Sequence, residues 1–234
     1  MLPTQFLTNT PPPHKGKLIV IEGLDGVGKH TQTTLLHQKL HDRGTKTELI
    51  SFPQYDTPVG KLIAAYLQGE IGDKKDHPPE VAALFFALDR YQVKWQIEQR
   101  IQEDYVVILD RYSPSNLAFQ GAKIENNFER ETFLTWLNHV ESNLPKPDLI
   151  FYLHLPLHNM KQWIAQREQR PFETTSLKDI HERDFQYQQQ VQQLYLTLAH
   201  QYNWRVISYE ERKDKIKSRE DVQKEIWEIV ENSL

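Results

Sequence analysis

The chain has 234 residues, 38% apolar and 26% charged, with a formal net charge of −4 and no cysteine. A chain of this length reads most simply as one domain burying roughly 70 to 75% of its unfolded surface, and the composition excludes wholesale disorder. The negative balance argues against a nucleic-acid polymer as partner, and the missing thiols exclude disulfide scaffolds, thiolate zinc sites and cysteine nucleophiles.

Residues 1–16 carry little apolar periodicity and include Pro11, Pro12 and Pro13, which predicts a flexible N-terminal extension ahead of a single domain over 17–234. No basic residue precedes Lys15 and no apolar run approaches the 18 or so residues that span a bilayer, so neither a charged leader nor a membrane partner is expected. From position 17 onward, five short β-branched or aromatic runs follow, at 17–21, 46–51, 105–109, 148–155 and 204–208. The chain between them is long enough for helices. The fold class predicted is α/β, a five-stranded parallel sheet flanked by helices.

Between the first run and the first helix stand Gly23, Leu24, Asp25, Gly26, Val27, Gly28, Lys29, His30 and Thr31. Gly23, Gly28 and Lys29 match G-x-x-x-x-G-K in the context that gives the motif meaning, a strand before and a helix after. Glycines let several backbone N–H groups face one anion, the helix N-terminus adds its positive end, and the lysine reaches the outer phosphates. The position after the lysine normally carries a hydroxyl for Mg²⁺. His30 cannot serve as that hard oxygen ligand, and Thr31 is rotated by about 100° along the helix.

The helix opened by this turn is expected over 30–43, with Leu36 and Leu40 one turn apart and a stop at Gly44. A second helical segment starts at Pro78 and Pro79 and runs to about Ile101, with Val81, Leu84, Phe85, Leu88 and Trp95 as its apolar stripe. Ala82, Phe86 and Arg90 share another face. An aromatic ring beside an arginine fork suits a nucleobase, although Phe86 as core and Arg90 as an ion-pair partner fit the spacing as well. Asp110 and Arg111 directly follow the third strand, at the sheet end where such folds bind ligands: the acid suits a magnesium hydration shell, the arginine a phosphate. An Asp110–Arg111 ion pair capping the strand is the alternative.

Helical patterns close the chain at 177–202 and 218–230. His37 and His41 stand i, i+4 without a third ligand and read as an exposed helix face. The mixed basic cluster at 212–217 reads as a solvated loop. Pro145, Lys146, Pro147 and Asp148 lack the asparagine of a guanine-reading element, which argues against a GTPase switch. A nucleotide-binding module with His30 as a catalytic lesion is a second reading.

Four further segments, in order, extend the pattern: Phe52-Pro53-Gln54-Tyr55, the run 84–90, the run 110–123 and the run 144–148. With the cradle they resemble the thymidylate kinase family over roughly residues 17–210. The resemblance implies a P-loop kinase fold with a short lid at about 165–178, and transfer of the γ-phosphoryl group of ATP to dTMP on the route to dTTP. It also implies Mg²⁺ as cofactor and a homodimer, in the cytoplasm. The Pro-rich extension and altered cradle would suit a divergent viral member working in the host cytoplasm. By motif position, Asp25 would contact the sugar 3′-hydroxyl, Phe86 would stack on thymine and Arg90 would bond its O4 edge. Arg111 would hold the dTMP phosphate with Phe52 and Tyr55 nearby; Ser115 and Asn116 would line the base pocket, and Phe119 would crowd the 2′ position. Asp110 would hold Mg²⁺ through water. Family members keep a catalytic arginine in the cradle or the lid; Gly26 occupies the cradle position, so Arg167 and Arg170 would supply that charge, and Phe172 stands where a lid tyrosine is common.

Overall fold

The computed structural model describes residues 16–72, 77–156, 185–212 and 215–234. The N-terminal extension, Arg167, Arg170, Phe172 and the rest of the expected lid lie outside them. Five strands form one parallel sheet in the order β2-β3-β1-β4-β5: β1 (Lys17–Gly23), β2 (Thr47–Ser51), β3 (Val106–Asp110), β4 (Leu149–His154) and β5 (Arg205–Ser208). All five coincide with the apolar runs to within two residues at either end.

The central strands are continuously apolar because both faces of the sheet are covered. Along β1, Ile19 and Ile21 enter one core with Val106 and Ile108 of β3, while Leu18 and Val20 enter the other with Val107 and Leu109. The first core is closed by Leu36 and Leu40 of α1 (Lys29–Asp42), Leu117 of α5 (Ser113–Gly121), Leu137 of α6 (Asn127–Val140), Leu194 of α7 (Phe185–Gln201) and Ile226 of α8 (Arg219–Glu231). The second is closed by Val93 and by Ile97 of α4 (Lys94–Gln102). A third, smaller cluster joins α2 (Pro58–Gln68) to α3 (Pro79–Tyr91) through Ile63, Tyr66 and Ala82.

The segment expected as one helix from Pro78 to Ile101 is two. Gln92 ends α3, its side-chain amide bonded to Asp89 at 2.7 Å and to Thr57 at 3.1 Å, and the break lets Val93 turn into the core. Part of the apolar stripe also faces outward: Leu84, Leu88 and Trp95 are 47%, 52% and 66% exposed, while Phe85 packs edge-on against Tyr66. Ala82, Ala83 and Ala87 are buried in its place, because only small side chains let α3 lie close against α2 and α5. The cluster at 212–217 contributes to a short antiparallel hairpin of β6 (Glu210–Arg212) and β7 (Lys215–Ile216).

Candidate active site

The chain leaves β1, forms β2 at the sheet's edge and returns as β3 beside β1, while β4 lies on the other side. Strand order therefore reverses at β1, and the turn 23–28 lies at the carboxyl end of that switch point. Gly23 has φ 154°, and a Cβ there would come within 2.7 Å of Val27 Cγ1 and 2.9 Å of the Leu153 carbonyl. Gly28, with φ 98°, leads into α1, and its Cβ would meet the Tyr209 hydroxyl at 3.0 Å. Leu24 and Val27 are buried and pin the turn to the core. The first turn of α1 thus points its N–H groups at the concavity, with His30 exposed and Thr31 partly so.

Lys29 is folded into this turn. Its Nζ donates to the Leu24 carbonyl at 2.9 Å and lies 3.8 Å from Asp25 Oδ1. Burial pushes its pKa down to about 8, the Arg111 charge adds to that, and Asp25, Asp110 and Glu22 oppose it. A poorly solvated ammonium beside exposed N–H groups is an anion receptor.

Arg111 follows β3 in the left-handed region, φ 69°, a conformation that costs of order 1–3 kcal/mol in a residue with a Cβ. The backbone is held there by its N–H bond to the Ile21 carbonyl at 3.1 Å. The guanidinium reaches back to the cradle, donating to the Gly23 carbonyl at 3.1 Å and to Ser115 Oγ at 3.0 Å, and pairing with Asp25. Its ion-pair partner is thus Asp25 and not the neighbouring Asp110. Burial disfavours its charge, but Asp25, Tyr195, Glu22 and Asp110 more than compensate and raise its pKa.

Under this arginine lies a carboxylate that sequence reasoning missed. Glu22 is fully buried and accepts from the Tyr112 N–H at 2.7 Å, the Ser115 N–H at 3.2 Å, the Ser115 hydroxyl at 2.6 Å and the Tyr195 hydroxyl at 2.9 Å. It caps the N-terminus of α5, where Tyr112 offers no side-chain cap. Burial pushes its pKa up, while the Arg111 charge and the bonds from Ser115, Tyr195 and Tyr112 pull it down. One signal for it was available: an acid inside a strand that is otherwise buried and apolar.

Beside the cradle opens a cavity of about 580 Å³, counted out to its mouth. Every acceptor-side residue expected from the sequence and described in the structure lines it: Asp25, Phe52, Tyr55, Phe86, Arg90, Arg111, Ser115, Asn116 and Phe119, while Phe172 lies outside the described residues. Pro53, Leu67, Tyr112 and Gln120 complete the lining. Phe86 is half-buried, and Arg90 is buried and paired with Glu141. The Phe119 ring lies 5.3 Å from the Arg111 guanidinium and edge-on to Tyr195. Ser115 lines the cavity, but its hydroxyl is already bonded between Arg111 and Glu22.

A phosphate cradle, an arginine and an aromatic-walled cavity at one sheet end are the parts of a nucleotide-to-nucleotide phosphotransferase. The family model "Thymidylate kinase" matches residues 21–220. The chain belongs to the thymidylate kinase family. It is 30% identical to the zebrafish (Danio rerio) thymidylate kinase over 222 residues, covering 94% of this chain and 92% of that one. With the human (Homo sapiens) thymidylate kinase the identity is 38% over 143 residues, 61% of this chain and 63% of the human one, just under two thirds of its length. The solved thymidylate kinase of Candida albicans superposes with a TM-score of 0.73 at 29% identity, over 95% of this chain and 94% of that one. The P-loop kinase fold implied by the sequence is thus the fold observed.

Proposed function

We propose that the cavity beside the cradle is the dTMP site and the cradle the ATP site, so that the γ-phosphoryl group of ATP passes to dTMP, giving dTDP and ADP. That reaction is the one the thymidylate kinase family carries; the placing of each substrate is our reading. The observation that supports it most is the cavity's make-up: an aromatic face and two polar base readers at one end, Arg111 and Asp25 at the other, opening beside Lys29. Phe86 stacks on thymine, a contact worth about 1–3 kcal/mol in comparable cases. Arg90 donates to O4, and Ser115 and Asn116 line the base pocket. Phe119 crowds the 2′ position. Arg111, with Phe52 and Tyr55 beside it, receives the 5′-phosphate, and Asp25 turns to the 3′-hydroxyl. Lys29 and the turn hold the outer phosphates of ATP. Arg167 and Arg170, outside the described residues, are assigned to the transferring group because Gly26 leaves the cradle without an arginine.

Mg²⁺ is the cofactor we assign. Among the described residues no three His, Asp or Glu side chains gather as metal ligands, which fits an ion held mostly by phosphate oxygens and water with one protein carboxylate. Asp110 suits that role: it ends β3 at the cradle and remains 9% exposed. The ion supplies charge neutralisation on the phosphates; His30 stays outside its shell. We also assign a homodimer, with the exposed Leu84, Leu88 and Trp95 against a second copy. Among the described residues no helix is long and apolar enough to cross a membrane, and we place the protein in the cytoplasm, the host's if the chain is viral.

Coupled turnover with ATP, Mg²⁺ and a panel of nucleoside monophosphates tests the assignment. Phosphorylation of dTMP is expected. Activity on another monophosphate with none on dTMP would overturn it.

A further inference from the structure

We propose that Glu141, which stands behind the cavity wall and does not line it, sets which base the site accepts; this rests on the dTMP reading above. Glu141 caps the C-terminus of α6 and is buried. The Tyr91 hydroxyl donates to the Val140 carbonyl at 2.6 Å, tying that helix end to the end of α3, where Arg90 sits.

One carboxylate oxygen, Glu141 Oε1, accepts from both base readers. Arg90 Nη2 donates to it, and Asn116 Nδ2 donates to it at 2.7 Å. Asn116 Nδ2 also donates to the Ala83 carbonyl at 2.9 Å. Both of its partners can only accept, so their chemistry fixes which end of the amide carries the hydrogens. What remains is Asn116 Oδ1, a buried acceptor with no partner among the described residues, in a side chain that lines the cavity. Arg90 Nε is likewise buried without a partner. At the base wall an acceptor on Asn116 and a donor on Arg90 thus remain buried and unpaired among the described residues, and both are assigned to the base.

Thymine presents the complement, the N3–H donor and the O4 acceptor. Cytosine presents the inverse, an N3 acceptor and an N4 amino donor, and would set donor against donor and acceptor against acceptor. Glu141 and the Ala83 carbonyl together hold the Asn116 amide one way round, because neither can donate, and Glu141 alone anchors the Arg90 cation, at the same oxygen that Asn116 uses. A neutral amide at position 141 removes the charge that fixes Arg90 and weakens the acceptor shared with Asn116, leaving the Ala83 carbonyl alone to orient the amide, so both readers are held less firmly against the base. Glu141 touches neither the base nor the reacting atoms, so it acts as a positioning residue through Asn116 and Arg90.

Steady-state kinetics of Glu141→Gln with ATP and either dTMP or dCMP test this. The expected result is a KM for dTMP raised about tenfold, kcat within about twofold of wild type, and a dTMP-over-dCMP preference lowered at least about tenfold. Glu141→Asp keeps the charge that buried Arg90 needs, but is one methylene too short to hold both partners, so it folds even where the neutral variant does not and loses preference in the same direction. Titration calorimetry with thymidine and deoxycytidine reads base recognition without the phosphate and is expected to follow the kinetics. A folded variant whose preference stays within about twofold of wild type, or which loses dTMP and dCMP activity in parallel, would overturn the proposal. Failure of the wild-type protein to phosphorylate dTMP would instead strike the kinase reading, and the control shows it before any variant is compared.

Discussion

Lys29 carries its charge in a buried turn, and the consequences can be worked out with their sign. Its ordinary value of 10.5 falls to about 8 on burial. Between pH 8 and 10.5 the unfolded chain still holds the proton that the folded chain has released, so this residue's destabilisation is fully present below pH 8 and fades as pH rises through that window. Phosphate oxygens placed against the ammonium restore its preference for charge. At pH 8.5 ATP binding should therefore take up about 0.7 of a proton, shrinking to about 0.1 at pH 7. Calorimetry in two buffers of different ionisation enthalpy measures this, and a binding enthalpy at pH 8.5 independent of buffer would refute the role of Lys29. Glu22 and Arg111 show the complementary device: a strained arginine is linked through the Ser115 hydroxyl to a carboxylate that satisfies the N-terminus of α5 at the same time.

At the scale of elements, α8 depends on its first turn. Ser218 accepts from the Asp221 N–H at 3.1 Å while Asp221 accepts from the Ser218 N–H at 3.2 Å, a reciprocal cap. Ser218→Ala should cost about 1 kcal/mol and lower Tm by about 2–4 °C, leaving the KM for dTMP unchanged because the cavity does not include α8. An unchanged melting curve would mean that the cap contributes nothing. α3 and α4 show where pattern reading fails. Helical period identified an apolar stripe but joined two helices into one, and period alone does not say which face is covered. The alanines opposite the stripe carried that information, since close helix packing demands small residues.

For the molecule as a whole, the exposed stripe has a measurable corollary. Leu88→Asp, in an exposed residue that does not line the cavity, should shift the protein in sedimentation equilibrium from twice the mass of one chain to a single chain mass. A wild-type protein that sediments as a single chain would remove the homodimer from the reading. Much of this architecture was legible in the residues, because a sheet covered on both faces requires unbroken apolar runs and a phosphate turn requires glycines at set intervals. Phe86 and Arg90 were legible as a pair because four residues on a helix is one turn. Glu141 and Tyr195 were not: they reach Arg90 and Glu22 across 51 and 173 residues, and no local spacing announces such a meeting. The helices α2, α5 and α6 were not read from the residues, although Thr57 and Asn126 stand as side-chain caps ahead of α2 and α6.

A thymine-like inhibitor fitted to the cavity would rest on Arg90 and Asn116 and never touch the carboxylate behind them. Resistance could then arise by a change at position 141 with every residue in contact with the drug left intact, so a search for escape variants confined to the cavity lining would overlook it.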